Sequence, residues 1–377
     1  MRRIEARDYR TRQRVAVESE NGRITDISPP TGQADRRADW IVPAFVDVQI
    51  NGCLGMSFNS RELTIEQVER IVAECRKHGI GVLCPTLVTN SAEALLHGFA
   101  TLREACESSA QLSRRMPKFH LEGPYLSGED GPRGAHPKSH IRPPDWDEFC
   151  RFQEAAGGRI GMVTLAPEYD NALSFIERLC QAGIVVAIGH TASSPARIRE
   201  AVAAGARIST HLGNGSHAQI PRHENYIWEQ LGADTLWASL IADGHHLPMS
   251  MVKTIVRTKT PSRCVLTCDA SSLAGLPPGR YEQWGSEFEV EASGRVGVPG
   301  TPFLAGSGVF TDACVAGVMR MAGISLADAI QMAVDNPREL MGLAPVALEI
   351  GSDAEFVLFD GDPLESFTLV EWVNSRD

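Results

Sequence analysis

Four titratable side chains follow short apolar runs in this chain, in a pattern suited to chemistry on a carbonyl. Glu122 closes the apolar part of "FHLEGPYL" (Phe119 to Leu126), His190 stands in "AIGHTASS", His211 in "STHLGNGS" and Asp269 in "LTCDASS". Glu122, His190 and His211 offer one carboxylate oxygen and two imidazole nitrogens. That is a ligand set for zinc or another divalent transition metal, with a position left for water. Such an ion draws the pKa of bound water toward ~7 and polarises a carbonyl. Asp269 then reads as a proton shuttle, since an amide nitrogen leaves well only when protonated. Each residue taken singly has a plainer reading: a lone histidine at a strand end is usually a hydrogen-bonded structural residue, and Asp followed by Ala-Ser-Ser also opens helices as an N-cap. The set of four favours the metal.

The elements that must position these groups are legible as alternating strands and helices. Strand candidates are Ile41 to Val48, Gly81 to Leu87, Lys118 to Leu121, Ile160 to Leu165, Ile184 to Ile188, Arg207 to His211, Trp237 to Ala242 and Arg263 to Cys268. Helical patterns lie between most of them, with capping boxes at Thr64/Gln67 and Ser325/Asp328. Eight β/α units predict a closed TIM-type (β/α)8 barrel, an α/β fold that gathers chemistry at the C-terminal ends of its strands. An open doubly wound sheet lacks its glycine fingerprint here. The strand-end survey adds His120, His245 and His246. Outside the barrel, Arg14 to Ser19 and Ile24 to Ile27 flank an Asn21-Gly22 turn. Near the other end, "ALEIGSDAEFVLFD" (Ala347 to Asp360) reads as two strands and "FTLVEWV" as a third. The two ends together predict a small β-sandwich from residues 1–42 and 343–377, around a hydrolase barrel at 43–342.

With 377 residues, 43% hydrophobic and 22% charged, the chain has material for a large core. A formal net charge of -11 argues against nucleic acid or an anionic membrane as the main partner. No run approaches the roughly 20 apolar residues of a membrane span, and Met1 to Gln13 is polar and Arg-rich, so a cytoplasmic protein is expected. The nine cysteines form no C-x-x-C pair, which predicts reduced core thiols, Cys268 among them.

The chain resembles the amidohydrolase superfamily and, within it, the N-acetylglucosamine-6-phosphate deacetylases. The resemblance rests on "PAFVDVQING" (Pro43 to Gly52), "HLEGPYL", "GAHP" (Gly134 to Pro137), "GHT", "THLGNG" (Thr210 to Gly215), "IADGHH" (Ile241 to His246) and "CDA", in family order over nearly the whole chain. It implies removal of an N-acetyl group from an amino sugar in a homodimer of barrels, each with a small β-sandwich from both termini. It makes Glu122, His190 and His211 the metal ligands and Asp269 the catalytic aspartate. His136 becomes the group that polarises the acetyl carbonyl, beside Ala135, and His246 a substrate contact. Most amidohydrolases carry a His-x-His pair where this chain has Gln49-Ile50-Asn51, so one metal per chain is expected, zinc first, with iron or manganese as alternatives.

The region after His211, "HLGNGSHAQIPRHENYIWEQLG", departs from the family pattern. Asn214 and Gly215 fit a backbone role toward a sugar phosphate, and Arg222 is the arginine candidate, although a solvated surface role fits it equally. His217 and His223 read either as lining an altered sugar pocket or as surface residues. "LAGSG" (Leu304 to Gly308), with Ala305, offers backbone contacts to ligand, or a simple turn. Three functions therefore compete: deacetylation of N-acetylglucosamine 6-phosphate, hydrolysis of a different or unphosphorylated N-acyl amino sugar, and a silent metal-stabilised sugar-binding protein.

Overall fold

A computed structural model of the chain describes residues 2–283, 286–301, 304–364 and 368–373. The chain begins with β1 (Arg2–Asp8), β2 (Arg14–Glu20), β3 (Arg23–Ser28) and β4 (Arg36–Pro43). It continues through β5 (Phe45–Ile50), a short hairpin of β6 (Gly52–Cys53) and β7 (Met56–Ser57), then β8 (Ile80–Val88), β9 (Phe119–Glu122) and β10 (Ile160–Leu165). Next come β11 (Val185–Ile188), β12 (Ile208–Ser209), β13 (Trp237–Leu240) and β14 (Cys264–Leu266). A three-stranded insertion of β15 (Gly279–Gln283), β16 (Ser286–Val290) and β17 (Val296–Gly297) precedes the last strands, β18 (Phe356–Asp360) and β19 (Thr368–Trp372).

Eight of these strands form one sheet in the order β14-β13-β12-β11-β10-β9-β8-β5, with every neighbouring pair parallel. Its two edges meet through a parallel bridge between Ile50 and Ala270, where the Asn51 N–H donates to the Ala270 carbonyl at 2.9 Å. The barrel expectation is met. Val48, Cys84, Met162, Ala187, Ile208, Trp237 and Val265, drawn from seven of the eight strands, form one buried cluster with Leu340 and Met341 of the last helix. This apolar floor lets the polar groups gather at the other end. Both capping boxes form, at Thr64/Gln67 and Ser325/Asp328.

Both ends of the chain build the second sheet, in the order β19-β18-β4-β1-β2-β3. Alternation along β18 explains its apolar run: Phe356 and Leu358 pack into the sheet's own core with Ile4, Val17 and Ile41, while Val357 and Phe359 face the barrel core. Phe359 stacks on Phe45 of the first barrel strand, ring centroids 5.7 Å apart.

Four details depart from the sequence reading. The run Ile41 to Val48 is two strands, because at Pro43 and Ala44 the chain passes from the terminal sheet to the barrel; both sides of the junction are buried, so periodicity carries no mark of it. Ala347 to Ile350 is not a strand; Val346 and Leu348 fill the terminal core from irregular backbone. The polar segment Arg2–Asp8 is a strand, held between β2 and β4. The insertion β15 to β17 has no counterpart in the sequence reading, its alternation being short and mostly polar. Phe367, the first residue of "FTLVEWV", lies outside the described residues. All nine cysteines are free thiols.

Candidate active site

The strand-end residues converge. Glu122 ends β9, two residues after His120, so both point to the barrel interior. Glu122 Oε1 lies 3.2 Å from His190 Nε2 and 3.1 Å from His211 Nε2, and all three side chains are buried. The other carboxylate oxygen, Oε2, accepts from Gln49 Nε2 at 3.0 Å. His136 joins from the loop after β9, its Nε2 3.3 Å from His190 Nε2. Glu122, His136 and His190 offer ligand atoms that all lie within 4.8 Å of one another. That group has His136 where His211 was expected; His211 joins it through Glu122 Oε1.

The donor set fits a cation for a reason visible in its hydrogen bonds. His190 Nδ1 lies 2.8 Å from the Pro132 carbonyl, to which it can only donate. Nε2 is then the nitrogen left to face Glu122 Oε1. A backbone carbonyl on the remote nitrogen is the usual orienting partner of a metal-bound histidine, so the ring is set to offer Nε2 to a cation beside Glu122. His211 is similar: Nε2 faces the same carboxylate oxygen, and its buried Nδ1 has no hydrogen-bond partner among the described residues. Burial would raise the Glu122 pKa, but hydrogen bonds from His190 and His211 outweigh it and hold the carboxyl well below the usual range.

Three site residues carry left-handed backbone: His190 at φ 50°, His211 at φ 26° and Asp269 at φ 50°. Non-glycine residues reach this region at a cost, and such outliers cluster at functional positions. Gly134 and Gly215 flank His190, both in the left-handed region at φ 57° and 56°. A Cβ on Gly215 would stand 2.6 Å from His190 Nδ1, and one on Gly134 3.3 Å from its Cε1.

Asp269, half-buried, accepts from Asn51 Nδ2 at 2.7 Å. Burial, helped by the Glu122 charge, pushes its pKa up to about 7. The amides of Gln49 and Asn51 thus donate to the two carboxylates of the site. His136 Nδ1 lies 2.9 Å from the Thr89 hydroxyl, and burial, then the neighbouring His190, push the His136 pKa down to about 3, so the ring is neutral. His120 is the plainer case: Nδ1 bonds the Val48 carbonyl at 3.0 Å, Nε2 the Thr164 hydroxyl at 2.8 Å, and burial lowers its pKa to about 4. It is a satisfied core histidine beneath the cluster.

His246 Nδ1 donates to Asp243 Oδ2 at 2.7 Å, and Asp243 also accepts from the backbone N–H of His245 and His246. Burial would raise the Asp243 pKa; the bond and charge of His246 bring it down to about 2. Asp243 was missed in the sequence, although "IADGHH" contains it. Asp47 was missed as well, and its signal was plain: one carboxylate inside an apolar run.

The phosphate-side residues are less gathered. Asn214 and Gly215 line a small cleft with His190 and Tyr226, and the Asn214 N–H and side chain both bond the His211 carbonyl. His217 bridges two loops, with Nδ1 on the Tyr226 hydroxyl at 3.0 Å and Nε2 on Glu129 at 3.1 Å. Arg222, His223 and Ala135 are exposed, Ala305 is half-buried, and His245 Nε2 bonds the Ser293 carbonyl. None of these five takes part in the hydrogen bonds of the buried cluster.

Residues 40–374 match the amidohydrolase family, and the chain belongs to it. These are metal-dependent hydrolases of amide bonds, in keeping with the Glu/His cluster. Among its relatives, N-acetylglucosamine-6-phosphate deacetylase of Danio rerio is 33% identical over 87% of this chain and 83% of its own length. N-acetylgalactosamine-6-phosphate deacetylase of Escherichia coli O157:H7 is 30% identical over 90% and 89%. The solved structure of a Mycobacterium smegmatis N-acetyl-D-glucosamine-6-phosphate deacetylase mutant, in complex with N-acetyl-D-glucosamine-6-phosphate, superposes with a TM-score of 0.88 at 31% identity, covering 99% of both chains.

Proposed function

We propose that this chain hydrolyses the N-acetyl amide of an N-acetylated hexosamine 6-phosphate, N-acetylglucosamine 6-phosphate first, giving acetate and the free amino sugar. The observation that carries it is the convergence of Glu122, His190 and His211 at the strand ends beside a half-buried Asp269. Glu122, His190 and His211 would hold one divalent ion, zinc foremost, with Gln49 fixing the free oxygen of Glu122. A bound ion supplies Lewis acidity, acidifying water and polarising the acetyl carbonyl.

The remaining chemistry belongs to the chain. His136, neutral and held through Nδ1 by Thr89, directs Nε2–H at the carbonyl oxygen as negative charge develops there. Asp269 takes a proton from the attacking water and delivers it to the amide nitrogen as the C–N bond breaks. Its place beside the cluster, fixed by the Asn51 amide, suits it to both halves of that transfer. His246, oriented by Asp243, contacts the sugar; Asn214, Gly215 and Ala305 offer backbone groups to it. Arg222 reaches the phosphate of a neighbouring subunit's site in a homodimer, a role supported by its exposure beside exposed Ile220 and Trp228. Among the described residues no helix is long and apolar enough to cross a membrane, and the cytoplasm is the proposed compartment.

The altered loop after His211 favours a second reading, a different or unphosphorylated N-acyl sugar. Acetate release by metal-loaded protein from N-acetylglucosamine 6-phosphate, N-acetylgalactosamine 6-phosphate and N-acetylglucosamine separates the two. A kcat/KM preference of at least about 100-fold for a phosphorylated sugar is expected, the scale of a lost charged contact. Equal rates with and without phosphate would install the second reading, and metal binding without turnover on any of the three would reject both.

A further inference from the structure

We infer that Asp47, acting through the Thr267 hydroxyl, is the positioning residue for Asp269. Asp47 lies on β5, fully buried, and accepts four hydrogen bonds. Oδ1 takes the Gln49 N–H at 3.0 Å and the Thr267 hydroxyl at 2.5 Å; Oδ2 takes the Cys268 N–H at 2.8 Å and the Thr311 hydroxyl at 2.7 Å. Two of the four donors come from the segment that leads directly into Asp269. The Thr267 hydroxyl donates to Asp47 at 2.5 Å, with the Gln49 carbonyl a longer second acceptor at 3.1 Å, and its oxygen accepts the Asp269 N–H at 3.3 Å. The chain of bonds runs Asp269 N–H to Thr267 oxygen, then Thr267 O–H to Asp47.

Its purpose follows from the backbone it holds. Asp269 sits at φ 50°, a conformation a non-glycine residue keeps only when its surroundings over-determine it. The Asp269 carbonyl is held on the other side by the Ser307 N–H at 3.0 Å. Neutral hydroxyl and amide donors could close the barrel seam elsewhere; a buried carboxylate is costly unless fully bonded, and here it is fully bonded. The same carboxylate fixes Gln49, whose side chain bonds Glu122. One buried charge on the first strand therefore sets both the proton-transfer carboxylate and the carboxylate of the metal cluster.

The inference rests on the proposed deacetylation for its kinetic arm and stands apart from it in its structural arm. Thr267→Val and Thr311→Val each delete one hydroxyl donor to Asp47, but only Thr267 touches Asp269. In metal-loaded protein acting on N-acetylglucosamine 6-phosphate, Thr267→Val is expected to lower kcat about tenfold or more with KM within about twofold, the signature of a misplaced group rather than lost binding. Thr267→Ser, which restores the hydroxyl, recovers most of the loss, and Thr311→Val leaves kcat near wild type despite a similar fall in Tm. Equal kcat losses in the two valine variants, or failure of the serine to rescue, would overturn the assignment. A crystal structure of Thr267→Val supplies the arm independent of substrate: Asp269 leaving the left-handed region supports the inference, and an unchanged Asp269 defeats it. Inactive wild-type protein would count against the deacetylation alone.

Discussion

The buried cluster around Glu122 and the loop that follows His211 adjoin in sequence and differ in every physical respect. In the cluster, four side chains are tied to the scaffold: Glu122 to Gln49, His190 to the Pro132 carbonyl, His136 to Thr89, Asp269 to Asn51. Along the loop, residues 218–224 are exposed, and its tie to the rest of the rim runs through His217, Tyr226 and Glu129. The difference teaches where each property of the protein resides. The cluster sits on strand ends that cannot move independently of the barrel, whereas the loop is an exposed segment free to vary without disturbing it, which is where the proposed function puts substrate preference.

The largest expected effect lies in the cluster. Asp269→Asn should retain the metal and lose turnover by about a thousandfold, the scale of a missing proton-transfer group; metal content and acetate release measured together check it. The same variant tests the charge environment without substrate. In metal-free protein the folded pKa of Asp269 is raised from ~3.9 to about 7, so the neutral carboxyl favours the fold. That contribution is complete below ~pH 4 and disappears as pH rises through about 7. Burial would lower the His211 pKa, but the hydrogen bond and charge of Glu122 raise it above the ordinary imidazole value. The difference between wild type and Asp269→Asn isolates the aspartate: wild type should lose Tm relative to the variant between pH 4 and 7, and parallel profiles would show that Asp269 is not electrostatically strained.

A smaller effect probes the seam between the two regions. Gly215 belongs to the loop by sequence and to the cluster by contact, since an added Cβ would meet His190 Nδ1 at 2.6 Å and the position holds φ 56°. Gly215→Ala should displace the imidazole from the Pro132 carbonyl and weaken metal affinity about 10- to 100-fold, as loss of an orienting partner does. Competition with a chromogenic chelator measures it. Unchanged affinity would mean that the loop yields and the histidine does not.

The two regions are also unequally legible in the sequence. Strand ends announce themselves: an apolar run of four to six residues stopped by Glu, His or Asp is uncommon, and the barrel topology turns a list of such stops into one site. Glu122, His190 and His211 are singled out that way and lie together in the fold, and His136 is singled out by the family resemblance. Asp47 stands out only as one carboxylate inside an apolar run, and its role is set by donors of which three, Thr267, Cys268 and Thr311, lie more than two hundred positions away. The junction at Pro43 escapes because both sheets bury it. In the loop, composition says only that the chain is polar, and the pairing of His217 with Tyr226 and Glu129 is fixed by two elements meeting in space, which no local pattern encodes.

The smallest effect separates the loop from the cluster outright. Arg222 is exposed, and its backbone carbonyl, not its side chain, receives the Trp228 indole N–H at 3.2 Å. Truncation therefore leaves that contact in place, and surface substitutions of this kind shift stability by no more than about 0.5 kcal/mol. Arg222→Ala should raise KM for N-acetylglucosamine 6-phosphate severalfold to about tenfold, as loss of one solvent-screened ion pair does, while kcat and metal content stay at wild-type values. The control is the unphosphorylated sugar, whose KM should not move. A kcat loss in this variant would tie the loop to the reaction geometry after all. A KM unchanged for both sugars would leave Arg222 as a solvated surface residue and transfer the phosphate to the backbone groups of Asn214 and Gly215.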